Sequence, residues 1–164
     1  MNVAAVCDRR AVCISVAINR RYRMNDQFTN ALASLPHGPE FRFVDRLIEL
    51  EPGKRGIGEY HVRGDEPFLR GHFPGDPLMP GVLLLEAAAQ LAGVVAQSDP
   101  QIPPLAGLKL TALRNVKILG SAKPGETIRL EAHIAGRLAN LIQAQATASV
   151  NGQVVLQAEL VLSG

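Results

Sequence analysis

Between residues 82 and 96 the chain is apolar at nearly every position, and only Glu86 and Gln90 break the run with polar side chains. Leucine and alanine dominate it, which favours a helix, and it is too short to cross a bilayer. On a helix Glu86 and Gln90 stand one turn apart on a single face. Every other direction is apolar, which predicts a buried helix, and an acid inside it has to be paired, protonated or at work. The loop before it, from Gly71 to Gly81, sets His72 among Pro74, Pro77 and Pro80 and the turn-permitting Gly71, Gly75 and Gly81.

Other periods surround this helix. Asn25 to Leu35 reads as a short helix with Phe28, Leu32 and Leu35 near one face, broken by Pro36-His37-Gly38-Pro39. Phe41 to Leu50 reads as a strand, and Pro52-Gly53 turns it into a second, Gly56 to Val62, whose alternation is imperfect. Asp99-Pro100 and Pro103-Pro104 end the helical region, and Ala106 to Leu119 is expected as one long, bent strand. After the Lys123–Glu126 turn, Thr127 to Ala135 alternates with Ile128, Leu130, Ala132 and Ile134 on one face. Asn140 to Val150 alternates too, Asn151-Gly152 is a strong hairpin signal, and Gln153 to Leu162 closes the chain. One buried helix with antiparallel strands mostly after it is an α+β pattern, met most simply by a curved antiparallel sheet wrapped around a long central helix in a single domain.

Residues 1–23 differ from this domain, which is expected to span 24–164. Arginines flank the apolar run Ala11 to Ile18, and Asn19-Arg20-Arg21 stands where a signal peptide would need small residues. The segment is expected to be a mobile extension, or upstream codons before a start at Met24, the remaining alternative being an added strand or contact arm.

The 164 residues allow one domain with a sizeable core, and 47% of them are apolar, so disorder is not the default. With 17 basic and 15 acidic residues and 4% aromatics, neither charge nor stacking surface argues for nucleic acid. Cys7 and Cys13 have no ligand cluster around them and read as free thiols of a cytoplasmic protein. No run is long enough for membrane insertion.

Leu35-Pro36-His37, Phe43-Val44-Asp45-Arg46, Glu66-Pro67-Phe68, Gly71-His72-Phe73-Pro74-Gly75, Met79-Pro80-Gly81-Val82-Leu83, Glu86-Ala87 with Ala89-Gln90, and Pro124-Gly125 occur in that order. Together they resemble the (3R)-hydroxyacyl-acyl-carrier-protein dehydratases of the FabZ type, in the hotdog-fold superfamily. The resemblance covers Leu35 to Gly164. It implies a hotdog fold, a homodimer whose sheets join edge to edge, and active sites at the interface, with His72 of one subunit facing Glu86 of the other. Trimers of dimers are common in that family. The substrate would arrive on the phosphopantetheine of an acyl carrier protein, and no other cofactor and no metal is expected.

Dehydrating a 3-hydroxyacyl thioester needs a base for the C2 proton, an acid for the departing C3 hydroxyl and donors for the thioester oxygen. His72 is the candidate base, because imidazole titrates near neutrality. Glu86 is the candidate acid, because apolar burial is expected to keep it protonated. Gly81 offers a backbone N–H at the helix start, and the resemblance assigns its glycine the same carbonyl-binding role. Gln90 and Phe73 are supporting residues, Gln90 orienting Glu86 or the histidine loop. His37, His61 and His133 are read as structural, and Asp45 with Arg46 as a local ion pair. Arg70, Arg114 and Lys117 are candidates to meet an acidic carrier, or simply a solvated face.

The chain departs from the family at Gly38-Pro39-Glu40, where an arginine-tyrosine-proline run is usual, and at Ile118-Leu119-Gly120-Ser121, where phenylalanine-lysine-arginine-proline is usual. Gly75-Asp76-Pro77-Leu78-Met79-Pro80-Gly81 also resembles the FabA branch, but that branch has aspartate in place of Glu86, which favours simple dehydration. Other uses of a hotdog domain are an acyl thioesterase, which leaves the His72 loop without a part, and a non-catalytic acyl-carrier-binding module.

Overall fold

Backbone groups of a sheet pair from strand to strand, and here six antiparallel strands form one sheet in the order Arg46–Glu51, Arg55–His61, Thr127–Leu138, Leu141–Val150, Gln153–Ser163, Lys109–Ile118. A computed structural model describes residues 26–164, so the expectations for residues 1–23 and for Met24 lie outside the described residues. Helix α1 occupies 26–33, followed by β1 (Arg46–Glu51), β2 (Arg55–His61), α2 (Gly81–Gln97), β3 (Lys109–Ile118), β4 (Thr127–Leu138), β5 (Leu141–Val150) and β6 (Gln153–Ser163). The sheet curls around α2, which packs on β4, β5, β2 and β6: the expected α+β hotdog arrangement in a single domain.

The alternations predicted for β4 and β5 are the ones that face α2. Ile128, Leu130 and Ala132 of β4 and Ile142, Ala144, Ala146 and Ala148 of β5 are buried, and their neighbours in sequence point outward. The β5–β6 hairpin turns at Asn151 and Gly152, with φ of 51° and 78°, the left-handed pair that suits the twist of the strands. In α2, Leu84, Leu91, Val94 and Val95 are fully or almost fully enclosed, so the helix supplies the middle of the core.

Two local expectations need correction. Residues 39–41 form a 3-10 turn led by Pro39, and β1 begins only at Arg46, so the strand expected from Phe41 is shorter. The long, bent strand expected over 106–119 is present as the single strand β3, its irregularities lying at register shifts between Leu110 and Ala112 and between Arg114 and Lys117. Asp45 and Arg46 do not pair with each other, because successive residues of an extended chain point to opposite sides. Asp45 instead holds Arg63 at 2.5 Å and accepts the N–H of His61 at 2.7 Å, while Arg46 meets Glu59 at 2.6 Å.

Small residues let β2 approach α2. A Cβ added at Gly56 would lie 2.5 Å from Val95 Cγ2, whereas one at Gly136 would meet nothing within 4 Å. Gly56→Ala is therefore expected to cost about 1–3 kcal/mol of unfolding free energy by overpacking, and Gly136→Ala less than about 0.5 kcal/mol. Urea unfolding of the two variants checks this, and equal midpoints would disprove the close-packing account.

Candidate functional site

Glu86 and Gln90 fall one turn apart on α2, as the spacing requires, and Gln90 is the one buried polar residue of the described core, at 3% exposure. Both ends of its amide are used in ordering the site, through three hydrogen bonds. Its Oε1 accepts the N–H of Phe43 at 2.9 Å, and its Nε2 donates to Phe41 O at 2.8 Å and to Glu86 Oε1 at 3.0 Å. Segment 41–43 precedes β1 and borrows this amide in place of a neighbouring strand. Gln90 is thus in contact with Glu86, and it also anchors the backbone leading into the sheet. The Glu86 side chain is 24% exposed in the single chain, so burial all round the helix is only partly realised at this position.

His37, expected to be structural, turns out to belong to the site. Its Nε2 lies 3.5 Å from Glu86 Oε1, its ring packs near Phe41, and its Nδ1 is buried without a hydrogen-bond partner. A lone histidine among helix-breaking prolines carries no periodicity, so the only available signal was its place in Leu35-Pro36-His37. His37, Glu86 and Gln90 share the wall of a cavity of about 320 Å³ with Leu35, Gly93 and Leu108. The cavity runs along α2 to Gln97, whose Nε2 donates to Leu105 O at 2.7 Å and whose Oε1 accepts Leu105 N–H at 3.0 Å.

The His72 loop is built separately. Glu66 anchors its approach by accepting the N–H groups of Arg63 at 2.8 Å and Gly64 at 2.7 Å and the Tyr60 hydroxyl at 3.0 Å. Burial alone would raise the Glu66 pKa, but these donors outweigh it and hold the carboxyl below its ordinary value, while burial and the facing carboxylate push Tyr60 strongly upward. A 3-10 turn, Pro67–Leu69, leads on to His72, whose N–H donates to Leu69 O at 3.3 Å. His72 Nδ1 lies 2.9 Å from Leu78 O. A carbonyl only accepts, so Nδ1 carries the proton and the neutral ring keeps its lone pair on Nε2. Phe73 takes φ 55°, a region unfavourable to a bulky residue, and is 60% exposed. The loop is tied down beyond it by Asp76 to Lys123 at 2.6 Å and by Met79 N–H to Ala122 O at 2.8 Å.

Gly81 is the first residue of α2. A Cβ there would come 2.7 Å from Ile118 Cδ1, so the end of β3 lies directly over the helix start. Hydrogen bonds into the first turn begin with Leu83 and Leu84 on Pro80 O, which leaves the Gly81 N–H among the donors that a helix start cannot satisfy internally. His72 and Glu86 do not meet within one chain: no hydrogen bond or ion pair joins them among the described residues, and His72 does not line the cavity that Glu86 borders. No group of three or more His, Cys, Asp or Glu residues among those described is arranged to hold a metal, and no described helix is long and apolar enough to cross a membrane.

The FabA-like domain family matches residues 35–159. The chain is 40% identical over 136 residues to the 3-hydroxyacyl-acyl-carrier-protein dehydratase FabZ of Chloroflexus aggregans, covering 80% of this chain and 91% of that one. It is likewise 40% identical over 136 residues to the FabZ of Roseiflexus castenholzii, covering 80% and 92%. Among solved structures, the dehydratase heterocomplex ApeI:P from Xenorhabdus doucetiae aligns with a TM-score of 0.69 at 18% identity, over 83% of this chain and 90% of that chain. Zebra fish thioesterase superfamily member 2 aligns at 0.61 and 17% identity, over 82% and 91%. These structural likenesses concern the fold, which serves both names.

Two outcomes are expected from this geometry. Gln90→Leu leaves the Phe43 N–H buried without an acceptor and should lower stability by about 1–3 kcal/mol, read from chemical unfolding; an unchanged midpoint would show that the amide is dispensable. Glu66→Gln should lower the melting temperature at neutral pH. Because the folded Glu66 pKa is depressed, its contribution is complete above the unfolded value of about 4.3 and fades as pH falls through the folded one, so the two melting curves should converge in acid. A gap that stayed constant down through that range would contradict the assignment.

Proposed function

The chain belongs to the FabA-like family as a 3-hydroxyacyl-acyl-carrier-protein dehydratase of the FabZ type, and we propose that it works through His72 of one protomer and Glu86 of a second. What carries this reading is the bond from His72 Nδ1 to Leu78 O, which leaves Nε2 as an oriented base while the candidate acid sits elsewhere in the same chain.

In the proposed reaction Nε2 of His72 takes the C2 proton of a (3R)-3-hydroxyacyl thioester. Charge gathers on the thioester oxygen, which accepts from the Gly81 N–H at the positive end of α2. The C3–O bond breaks as Glu86 delivers a proton to the hydroxyl, so water and a trans-2-enoyl thioester leave. Passing the proton from His72 back to Glu86 through solvent restores the pair, and every step reverses for hydration. The acyl tail lies in the cavity beside Glu86, and the thioester continues into the phosphopantetheine of an acyl carrier protein. Chemistry of this kind uses only side chains and a backbone donor. The compartment assigned to it is the cytoplasm, from the free-thiol reading of Cys7 and Cys13.

A second copy is needed to bring the two halves together, and the molecule has an edge suited to receive one. β3 ends the sheet, is exposed along almost its whole length, and shows Leu113, Val116 and Ile118 to solvent at 44%, 37% and 51%. Natural proteins seldom leave such an apolar edge open. Pairing β3 with its symmetry copy would cover it and would bring two ends of β3, each lying over a Gly81, into one interface.

The split site makes a specific demand on mixtures. His72→Ala and Glu86→Gln homodimers should each be inactive in hydration of a short trans-2-enoyl carrier-protein thioester, followed by loss of enoyl absorbance. Unfolded and refolded together in equal amounts, they should recover about a quarter of wild-type activity, since half the dimers are mixed and half the sites in those are intact. No recovery from properly mixed dimers would place both groups in one chain. Release of free thiol without hydration would instead identify a thioesterase, and carrier binding with neither reaction a binding module.

A further inference from the structure

Two side-chain nitrogens lie near one oxygen of Glu86. Gln90 Nε2 donates to Oε1 at 3.0 Å and His37 Nε2 stands 3.5 Å from the same atom, while Oε2 has no hydrogen-bond or ion-pair partner among the described residues. In a protonated carboxyl one oxygen accepts as a carbonyl and the other carries the proton. The Gln90 donor on Oε1, with His37 Nε2 beside it, favours that atom as the carbonyl oxygen. From this asymmetry we infer that His37 is a positioning residue, which with Gln90 fixes Oε2 as the oxygen that holds the proton and gives it to the leaving hydroxyl. This inference rests on the reading of Glu86 as the acid.

The state of His37 follows from its surroundings. Its Nδ1 is buried without a partner, so an imidazolium would strand an N–H donor away from water. A ring with its proton on Nε2 leaves only an unpaired acceptor at Nδ1 and puts an N–H on the side of Glu86, 3.5 Å from Oε1. The contact is long in the single chain, and active-site contacts often tighten when substrate is bound.

His37 is itself held. Arg42 Nε donates to His37 O at 2.8 Å and its Nη2 to Leu35 O at 3.3 Å, so the guanidinium clamps the backbone of the segment from outside the cavity. Phe41 packs against the His37 ring at a centroid distance of 5.9 Å, and Phe41 O is in turn bound by Gln90. The clamp, the ring and the amide form one connected support around a single carboxyl oxygen.

The test measures kcat and KM separately for hydration of an enoyl carrier-protein thioester by wild type, His37→Leu, His37→Gln, Arg42→Met and the His37→Leu/Arg42→Met pair, with Glu86→Gln in parallel. His37→Leu should lower kcat by about 10- to 100-fold with KM within about threefold, because a loosened acid misplaces the proton without removing binding surface. His37→Gln, whose amide nitrogen reaches the place of Nε2, should restore most of the loss. Arg42→Met should lower kcat several-fold in the wild type but add nothing to His37→Leu. Unchanged kcat in His37→Leu, a change confined to KM, or equal losses in the Leu and Gln variants would overturn the inference and leave His37 as cavity wall. If His37→Leu does not give a folded dimer, Arg42→Met decides, with a kcat loss at constant KM in favour and an unchanged kcat against. Should Glu86→Gln retain wild-type activity, the reading of Glu86 as the acid falls and this inference with it; an inactive Glu86→Gln beside a fully active His37→Leu removes the inference alone.

Discussion

The arrangement depends on one buried carboxamide. A polar group placed inside an apolar helix must find partners, and Gln90 finds them in two carbonyl or amide groups of segment 41–43 and in Glu86. Its amide thereby fixes the register between the chain entering β1 and the face of α2. The same bond that keeps Gln90 satisfied sets the position of the acid. Fold and site are joined at Gln90, since a change to this side chain both frees the carboxylate and disturbs the backbone leading into the sheet.

How much could be read in advance follows from which forces are local. β4, β5 and the hairpin at Asn151-Gly152 were legible because a half-buried strand imposes a period of two, and a tight turn imposes residues that tolerate positive φ. α2 was legible because apolar residues over its whole length leave few alternatives. The late start of β1 was not, because Phe41 and Phe43 have strand-like character and only the distant Gln90 amide explains why they pair with no strand. Asp45 and Arg46 were misread for a related reason: adjacency in sequence is visible, whereas the Arg63 and Glu59 that they actually meet become neighbours only after β1 and β2 have paired. His37 was hidden in the same way, since nothing near it in sequence announces a carboxylate on α2.

The single chain leaves several features unsatisfied. Phe73 is held at positive φ and exposed, Val82 at the start of α2 is 68% exposed, and β3 shows apolar side chains along an unpaired edge. In a finished globule each of these would be a defect. The proposed pairing of two copies gives all three a common explanation, and it joins stability to chemistry, because the strand that would be covered is also the strand lying on the glycine at the helix start.

The far end of the cavity carries a last consequence. Gln97 lines it with a polar residue, yet both ends of its amide are engaged by Leu105. An apolar group against that wall would leave no amide in want of a partner. Replacing Gln97 by a smaller side chain would enlarge the cavity and free the Leu105 backbone in the same step, so its room and the hold on that segment are bound together in one side chain.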